Sequence, residues 1–367
     1  MLEHASRNAH DPAMASANNL ELQRVTGQDS PAAPVAGIDL RIDSGQTLVL
    51  LGSARAGKSS LLRLIAGFGV LESGHIVFNG HDLGELSAHK RPFTLLTQQD
   101  ALFPHMTVAK NVAYGLKSRK LARPEQDHRV AMSLEIVGLQ GLEKVYPHAL
   151  NSAERQQAAL ARALAVQPLV LLLDEALSQL DPINAGRVLG DLRSLQQQVG
   201  MTMMMATTDS TLAMGMADKL AVLHEGQLID LDRPDALYRA PGSALTARLT
   251  GPVNLVPGDI LRAYPGQPSS KAFAEVAEAG AQWALALRPD HLEIHLTQPP
   301  GPTEHLEGHV ERLAYSPAGL AAQIRIAGLH ENLVIRVDSG RLDADDLSEG
   351  RRVWCTWDAE AAQAVPL

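Results

Sequence analysis

Thr47-Leu-Val-Leu-Leu-Gly52-Ser53-Ala54-Arg55-Ala56-Gly57-Lys58-Ser59-Ser60-Leu61-Leu62-Arg63-Leu64-Ile65 decides the fold of this chain. Thr47–Leu51 is a continuous apolar run, the pattern of a strand buried on both faces. The run breaks at Gly52, and apolar residues return at helical spacing from Lys58 onward: Leu61, Leu62, Leu64 and Ile65. Between strand and helix lies Gly52-x-x-x-x-Gly57-Lys58-Ser59, which fits G-x-x-x-x-G-K-[ST] in the strand–turn–helix context that motif requires. Its spacing has a chemical reason. Glycines let backbone N–H groups curl around phosphate oxygens, and the helix start adds unpaired amides and a positive dipole end. Gly52, Ser53, Ala54, Arg55, Ala56, Gly57, Lys58, Ser59 and Ser60 are therefore the candidate phosphate-binding residues. Lys58 is placed to reach the β- and γ-phosphates, and the Ser59 hydroxyl to ligate Mg²⁺. The competing reading is a glycine-rich turn carrying a solvated lysine.

Working outward, Leu169-Val-Leu-Leu-Leu173 is a second buried run, and it ends in Asp174-Glu175. An aspartate at the open end of such a strand can hold Mg²⁺ through water, and the glutamate one residue on points elsewhere, where it can polarise an attacking water. A third run, Thr202 to Ala206, precedes Thr207-Thr208-Asp209. Apolar strands alternating with helical segments predict an α/β core built on a parallel sheet covered on both faces. Leu20, Leu22 and Val25, then Val35, Ile38, Leu40 and Ile42, predict short antiparallel strands, and Ile76–Phe78 with Asn79-Gly80 predicts a hairpin. Residues 105–166 lean helical. After Gly251 the helices are expected to stop: short β-type runs at Trp283–Leu287, Leu333–Val337 and Val353–Trp357 predict a small all-β barrel. The expected organisation is a disordered tail over 1–19, an α/β domain over 20–245 with its helical subdomain at about 105–166, and a β domain over 251–367.

Composition sets the limits. The 367 residues are 45% apolar, 20% charged and 4% aromatic, too apolar for a disordered chain and long enough for about two domains. A net charge of −9 argues against nucleic acid as a partner, since phosphate contact needs a basic footprint. The acidity is concentrated late: residues 251–367 hold 9 basic and 16 acidic side chains. The only cysteine, Cys355, excludes an internal disulfide framework and fits a reducing compartment. No apolar run reaches the roughly 18–20 residues of a membrane helix, and Met1–Asn19 does not read as a secretory signal. The Met201, Met203, Met204 and Met205 cluster reads as core filling, and the 14 histidines show no ligand spacing.

Taken in order, the phosphate loop, Gln98 in Gln98-Gln-Asp-Ala-Leu-Phe-Pro-His-Met-Thr-Val108, Tyr146 to Gln156 running into Ala159-Leu-Ala-Arg-Ala-Leu164, Asp174-Glu175, and Ser178-Gln-Leu-Asp181 resemble the nucleotide-binding subunit of an ABC importer. The likeness spans about Leu20 to Leu249. The tail, with Leu287-Arg-Pro-Asp-His-Leu292 and Trp354-Cys-Thr-Trp-Asp358, resembles the TOBE domain of polyamine, iron and sugar importer subunits. The resemblance implies an ABC-type P-loop NTPase fold followed by an OB-like barrel, with ATP and Mg²⁺ as cofactors. It implies a second nucleotide-binding subunit as partner, in a homodimer that sandwiches two ATP molecules head to tail. It also implies inner-membrane permease subunits, an indirect link to a solute-binding protein, and a peripheral position on the cytoplasmic face of the membrane. On the same basis Ser59, Gln98 and Asp174 are the Mg²⁺ positions, and Glu175, Gln98 and the switch position Thr208 the catalytic ones. Asn151, Ser152, Ala153 and Glu154 would face the partner subunit's ATP, and Ser178 to Asp181 would cross the dimer interface.

The chain departs from the family pattern in three places. The signature Leu-Ser-Gly-Gly-Gln reads Leu150-Asn151-Ser152-Ala153-Glu154 here. Ser152 and Ala153 each add a Cβ where glycine lets a helix N-terminus approach phosphate, whereas Asn151 can still cap the helix. Glu154 adds a charge that, at about 6 Å and an effective dielectric near 20, repels a phosphate charge by roughly 3 kcal/mol, or by little if it points away. The switch histidine is replaced by Thr208, which can hydrogen-bond but cannot relay a proton. The aromatic platform for adenine is replaced by Asp29, and no Phe, Tyr or Trp precedes Phe68. Two functions fit: an ATP-hydrolysing importer subunit, or a subunit that binds ATP but hydrolyses it poorly and serves as a regulated scaffold. Arg288 and His291 are candidates to touch a regulatory ligand in the terminal domain, or else packing and surface residues.

Overall fold

The computed structural model describes residues 18–29, 34–97, 102–119, 121–262, 270–300, 304–316, 319–338, 342 and 344–367. Gln98 and all but the last two residues of the expected tail lie outside these. Asn18 and Asn19 are held in place: Thr202 Oγ1 donates to the Asn18 carbonyl at 3.0 Å, and Asn19 N–H donates to Asn79 Oδ1 at 3.0 Å. The chain divides into two compact units, Met1–Leu231 and Asp232–Leu367.

In the first unit, the alternating N-terminal residues form β1 (Leu20–Gln28) and β2 (Val35–Ile42), paired antiparallel, and the apolar run forms β3 (Thr47–Leu51). Helix α1 (Lys58–Ala66) stops at Gly67, whose left-handed backbone closes its last turn. Next come β4 (Val70–Phe78), β5 (His81–Asp82) and β6 (Phe93–Leu96). The helical stretch resolves into α2 (Val108–Val112), α3 (Arg123–Val137) and α4 (Ser152–Ala165). Buried Asn111 orders the loop before α2, accepting from Phe103 N–H and donating to the Phe103, Met106 and Thr107 carbonyls. Then follow β7 (Val170–Asp174), α5 (Pro182–Val199), β8 (Thr202–Thr207), α6 (Ser210–Met216), β9 (Lys219–His224) and β10 (Gln227–Asp232).

Six strands form one sheet in the order β10-β9-β3-β8-β7-β6, with β9, β3, β8, β7 and β6 running parallel. A second, antiparallel sheet has the order β2-β1-β4-β5. One core joins the two sheets to α1, through Leu20, Leu22, Ile38, Leu48, Leu50, Leu62, Ile65, Leu172 and Met204. Met201, Met203, Met204 and Met205 are all buried, as core filling requires. Register fixes the site. Leu51 lies opposite Thr207, and Asp174 opposite Ala206, so the phosphate loop, the acidic pair and the β8 exit share the carboxyl edge of the sheet.

The second unit opens with α7 (Pro234–Arg239) and α8 (Ala244–Thr250), then β11 (Asn254–Pro257), α9 (Gly258–Arg262) and α10 (Lys271–Ala279). Helices thus continue past Gly251, contrary to the sequence expectation. The signal was local. Ser270 caps α10 by accepting from Phe273 N–H, and Phe273 and Val276, one helical turn apart, are buried. Strands β12 (Trp283–Leu287), β13 (Leu292–His295), β14 (His305–Ser316), β15 (Gly319–Ile326), β16 (Leu333–Arg336), β17 (Arg352–Trp357) and β18 (Gln363–Pro366) complete it. They form a three-stranded sheet β11-β12-β18 and a five-stranded sheet β13-β17-β14-β15-β16, both antiparallel. Cys355 sits in this core, and burial pushes its thiol up to about 12, which keeps it unreactive at neutral pH.

Arg288 is a clamp inside this unit. It is 5% exposed and stacks on the Tyr238 ring, 4.0 Å from its centroid. Its guanidinium donates to the carbonyls of Tyr238, Ala247, Gly251 and Pro252 and to Thr250 Oγ1, at 2.9–3.3 Å. Carbonyls at the end of α8 carry partial negative charge, so they stabilise a buried cation without a carboxylate. Every donor it offers is directed at the fold. Arg288→Ala strands several carbonyls in the interior and is expected to cost the second unit about 3–5 kcal/mol. Trp283, Trp354 and Trp357 all lie in this unit, so tryptophan fluorescence during denaturation reads that loss directly.

Candidate functional site

The loop after β3 leaves no room for side chains at its first glycine. A Cβ on Gly52 would lie 2.4 Å from the Leu223 carbonyl oxygen and 2.9 Å from Ala56 Cβ. Gly57, at φ +94°, takes the left-handed backbone that starts α1. Lys58 is 6% exposed, and its Nζ donates to the Gly52 carbonyl at 2.8 Å and the Ser53 carbonyl at 3.0 Å. The ammonium is thus folded over the loop it belongs to. Burial pulls its pKa below the ordinary value, against the attraction of Glu175 and Asp174.

Ser59 Oγ donates to Asp174 Oδ1 at 2.7 Å, joining residues 115 positions apart. Asp174 is buried at the end of β7, and burial pushes its carboxyl above the usual range despite the Ser59 hydrogen bond and the nearby Arg63 and Lys58 charges. Glu175 follows at φ +50°, with its N–H on the Ala206 carbonyl at 3.0 Å. Burial raises its proton affinity too, opposed by Lys58 and by the nearby Thr208 N–H. Thr208 therefore stands beside Glu175 through its backbone, with its side chain exposed. The Ser59 hydroxyl and the Asp174 carboxylate supply oxygen donors suited to a hard divalent cation, with the Glu175 carboxylate beside them.

Other expected residues make different contacts. Ser60 Oγ donates to Asp29 Oδ1 at 2.5 Å, and Arg63 Nη1 to Asp29 Oδ2 at 2.7 Å. Burial opposes ionisation of Asp29, but these two partners outweigh it and hold the carboxyl below the usual range. The residue at the adenine-platform position is thus fastened to α1. At the signature, Glu154 Oε2 accepts from Asn151 N–H and Asn151 Oδ1 from Glu154 N–H, both at 2.9 Å, a capping box on α4. Of the two orientations open to Glu154, the chain adopts the one folded back on its own helix. Ser152 and Ala153 are the first two residues of α4. Among the described residues, no hydrogen bond joins Asn151–Glu154 to the phosphate loop. Asp181 caps α5 by accepting from Ile183 and Asn184 N–H.

Sequence reasoning passed over Gln156. It is 3% exposed, donates to the Glu175 carbonyl at 3.3 Å and accepts from Gln179 N–H at 3.1 Å. It stands two residues beyond Glu154, at the end of the Tyr146–Gln156 stretch of the resemblance, and no role was assigned to it there.

Residues 35–178 match the ABC transporter family and residues 285–365 the TOBE domain family. The spermidine/putrescine import ATP-binding protein PotA of Hahella chejuensis is 33% identical over 348 residues, covering 92% of this chain and 95% of that protein. This chain belongs to the ATP-binding proteins of ABC importers. The sn-glycerol-3-phosphate import ATP-binding protein UgpC 3 of Rhizobium johnstonii is 34% identical over 333 residues, covering 90% of this chain and 92% of that protein. Among solved structures, cbiO1 from Clostridium perfringens, part of the ABC transporter complex cbiONQ, aligns at a TM-score of 0.55 and 26% identity, over 60% of this chain and 91% of that one. The ATP-binding cassette MJ0796, in a dimeric post-hydrolysis state with ADP and phosphate, aligns at a TM-score of 0.54 and 22% identity, over 58% of this chain and 98% of that one, and shows the fold alone. ABC ATPase chemistry thus belongs to the family, and none of these relatives supports the hydrolysis-poor alternative. Among the described residues, no helix is long and apolar enough to cross a membrane.

Proposed function

We propose that this chain binds ATP at the Gly52–Ser60 loop and hydrolyses it to drive solute uptake through membrane permease subunits, on whose cytoplasmic side it docks. The ATP-binding role falls to residues 20–245, with the helical subdomain at 105–166, and the TOBE-type β domain to 251–367. The observation that carries the reading is the Lys58–Ser59–Asp174–Glu175 cluster at the carboxyl edge of the parallel sheet, buried at Lys58 and Asp174 and half-buried at Ser59 and Glu175. Backbone N–H groups of residues 52–57 and the start of α1 receive phosphate oxygens. Lys58 exchanges its two loop carbonyls for phosphate. Ser59 and Asp174, with Gln98 outside the described residues, are the Mg²⁺ positions, and that ion, when bound, would neutralise phosphate charge. Glu175, with its raised proton affinity, accepts a proton from the attacking water, and Thr208 orients Glu175 through its N–H.

A second copy of the chain completes the assembly, with Asn151–Glu154 presented to the partner's nucleotide and Ser178–Asp181 at the junction. The Asn151–Glu154 capping box already occupies two N–H donors at the α4 N-terminus, Asn151 and Glu154, so fewer are open to phosphate on closure. The solute is set outside this chain: the two relatives are named for solutes of opposite charge, a polyamine and an organic phosphate.

Titration calorimetry with ATP and Mg²⁺ tests the reading. The folded protein is expected to take up ATP, and Lys58→Ala to weaken that uptake at least about tenfold, the value of one lost charge-assisted hydrogen bond. A folded wild type without magnesium-dependent ATP uptake, alone or with its permease, overturns it.

A further inference from the structure

Glu175 is a non-glycine residue in the left-handed region, at φ +50°, where an L side chain is crowded and the surroundings must hold the backbone. Its N–H is fixed by the Ala206 carbonyl of β8. Its carbonyl accepts from Ser178 N–H at 3.2 Å and Ser178 Oγ at 2.8 Å, both within the same turn. The side chain that reaches this turn from another element is Gln156. Its carboxamide spans the turn, with Nε2 on the Glu175 carbonyl and Oε1 on the Gln179 N–H. Gln156 is the fifth residue of α4, whose first turn is the Asn151–Glu154 capping box.

We propose that Gln156 is a positioning residue for hydrolysis: its carboxamide holds the Glu175–Gln179 turn in the conformation that aims the Glu175 carboxylate, and so makes turnover depend on the placement of α4. The proposal rests on the ATPase reading above and deepens it. A displacement of the base by about 1 Å is enough to cost up to about 10²-fold in rate, so a turn held by two hydrogen bonds at its ends is a sensitive point. Nucleotide affinity is carried by other groups, Lys58, Ser59 and the loop amides, which Gln156 does not touch. Folding does not demand the bridge either, because Gln179 is exposed and its N–H can turn to water.

The test uses the full-length protein and four variants: Gln156→Leu, Gln156→Glu, Glu175→Gln and the double variant Gln156→Leu/Glu175→Gln. Phosphate release gives kcat, a fluorescent ATP analogue gives Kd, and thermal unfolding monitors the fold. Gln156→Leu is expected to lower kcat about 10–100-fold with Kd within about twofold of wild type. In the Glu175→Gln background the same change is expected to slow turnover no further, because its effect passes through Glu175. Gln156→Glu keeps an acceptor for Gln179 N–H but cannot donate to the Glu175 carbonyl, so it is expected to lose kcat similarly, and it serves as the readout should Gln156→Leu fold poorly. A Gln156→Leu rate within twofold of wild type, a loss that adds fully to that of Glu175→Gln, or a Kd that weakens in proportion to kcat overturns the proposal. Failure of the wild type to bind the analogue overturns the ATPase reading itself, before any variant is compared.

Discussion

Glu175→Gln is expected to lower ATP turnover by about 10²–10⁴-fold while leaving ATP binding intact, the loss typical of removing one positioned general base. The substitution is nearly isosteric, and the geometry shows why it separates the two properties. The Glu175 backbone is held by the Ala206 carbonyl on one side and by Gln156 and Ser178 on the other, none of which involves the carboxylate. A glutamine oxygen can still face the Thr208 N–H that lies beside the carboxylate now. The phosphate-facing groups, Lys58 and Ser59, keep their places, and Lys58 loses one of the two carboxylates that attract it. Binding is therefore unchanged or slightly stronger in the variant. Burial has raised the proton affinity of Glu175, which makes it a better base near neutral pH than an exposed glutamate, and an amide has no such capacity. Phosphate release under saturating ATP, paired with a binding titration, checks both halves. A variant that hydrolyses at the wild-type rate, or that loses binding as steeply as rate, removes Glu175 from the role assigned to it.

Much of this site was legible because its parts are local. A five-residue run, apolar from Leu48 and ending at glycine, reads as a strand entering a tight turn once a helical pattern follows it, and the Lys58-Ser59 pair at that turn specifies what the turn receives. Asp174-Glu175 announced itself in the same way at the end of its own run. What the sequence left open depends on partners far away in the chain, or on competition between two nearby ones. The direction of Glu154 is decided by the N–H of Asn151 three residues away, and the Asn-x-x-Glu spacing of a capping box was its sign. The fate of Asp29 is decided by Ser60 and Arg63, 31 and 34 residues on, a pairing no local pattern announces. Gln156 looked like one polar residue on an alanine-rich helix, and only the crossing of α4 with the end of β7 gives it partners. Helix α10 was missed for a different reason: Phe273 and Val276 are only two anchors, easily lost between Pro- and Gly-rich turns.

Thr208→His is expected to raise turnover in the assembled transporter by about tenfold or more, toward the roughly 10² that a positioned acid/base group supplies at the low end of its range. Three features of the β8 exit favour a gain over a disruption. The contact between position 208 and Glu175 is made by the backbone N–H, so changing the side chain leaves it in place. The Thr208 side chain is exposed, so an imidazole enters solvent-facing space rather than the packed core. The next residue is anchored independently, since Asp209 N–H donates to Thr207 Oγ1 at 3.0 Å and Asp209 Oδ1 accepts from Leu212 N–H to cap α6. Imidazole adds what threonine lacks, a group that donates to a phosphate oxygen and changes protonation near neutral pH. The gain should vanish in a Thr208→His/Glu175→Gln double variant, because a new hydrogen-bonding partner for phosphate cannot replace the base that activates water. Steady-state phosphate release by the wild type, Thr208→His and the double variant, each assembled with its permease, gives the comparison. Equal rates for the first two would place the limiting step elsewhere, with the self-capped α4 N-terminus at Asn151–Glu154 as the nearest physical obstacle to closure.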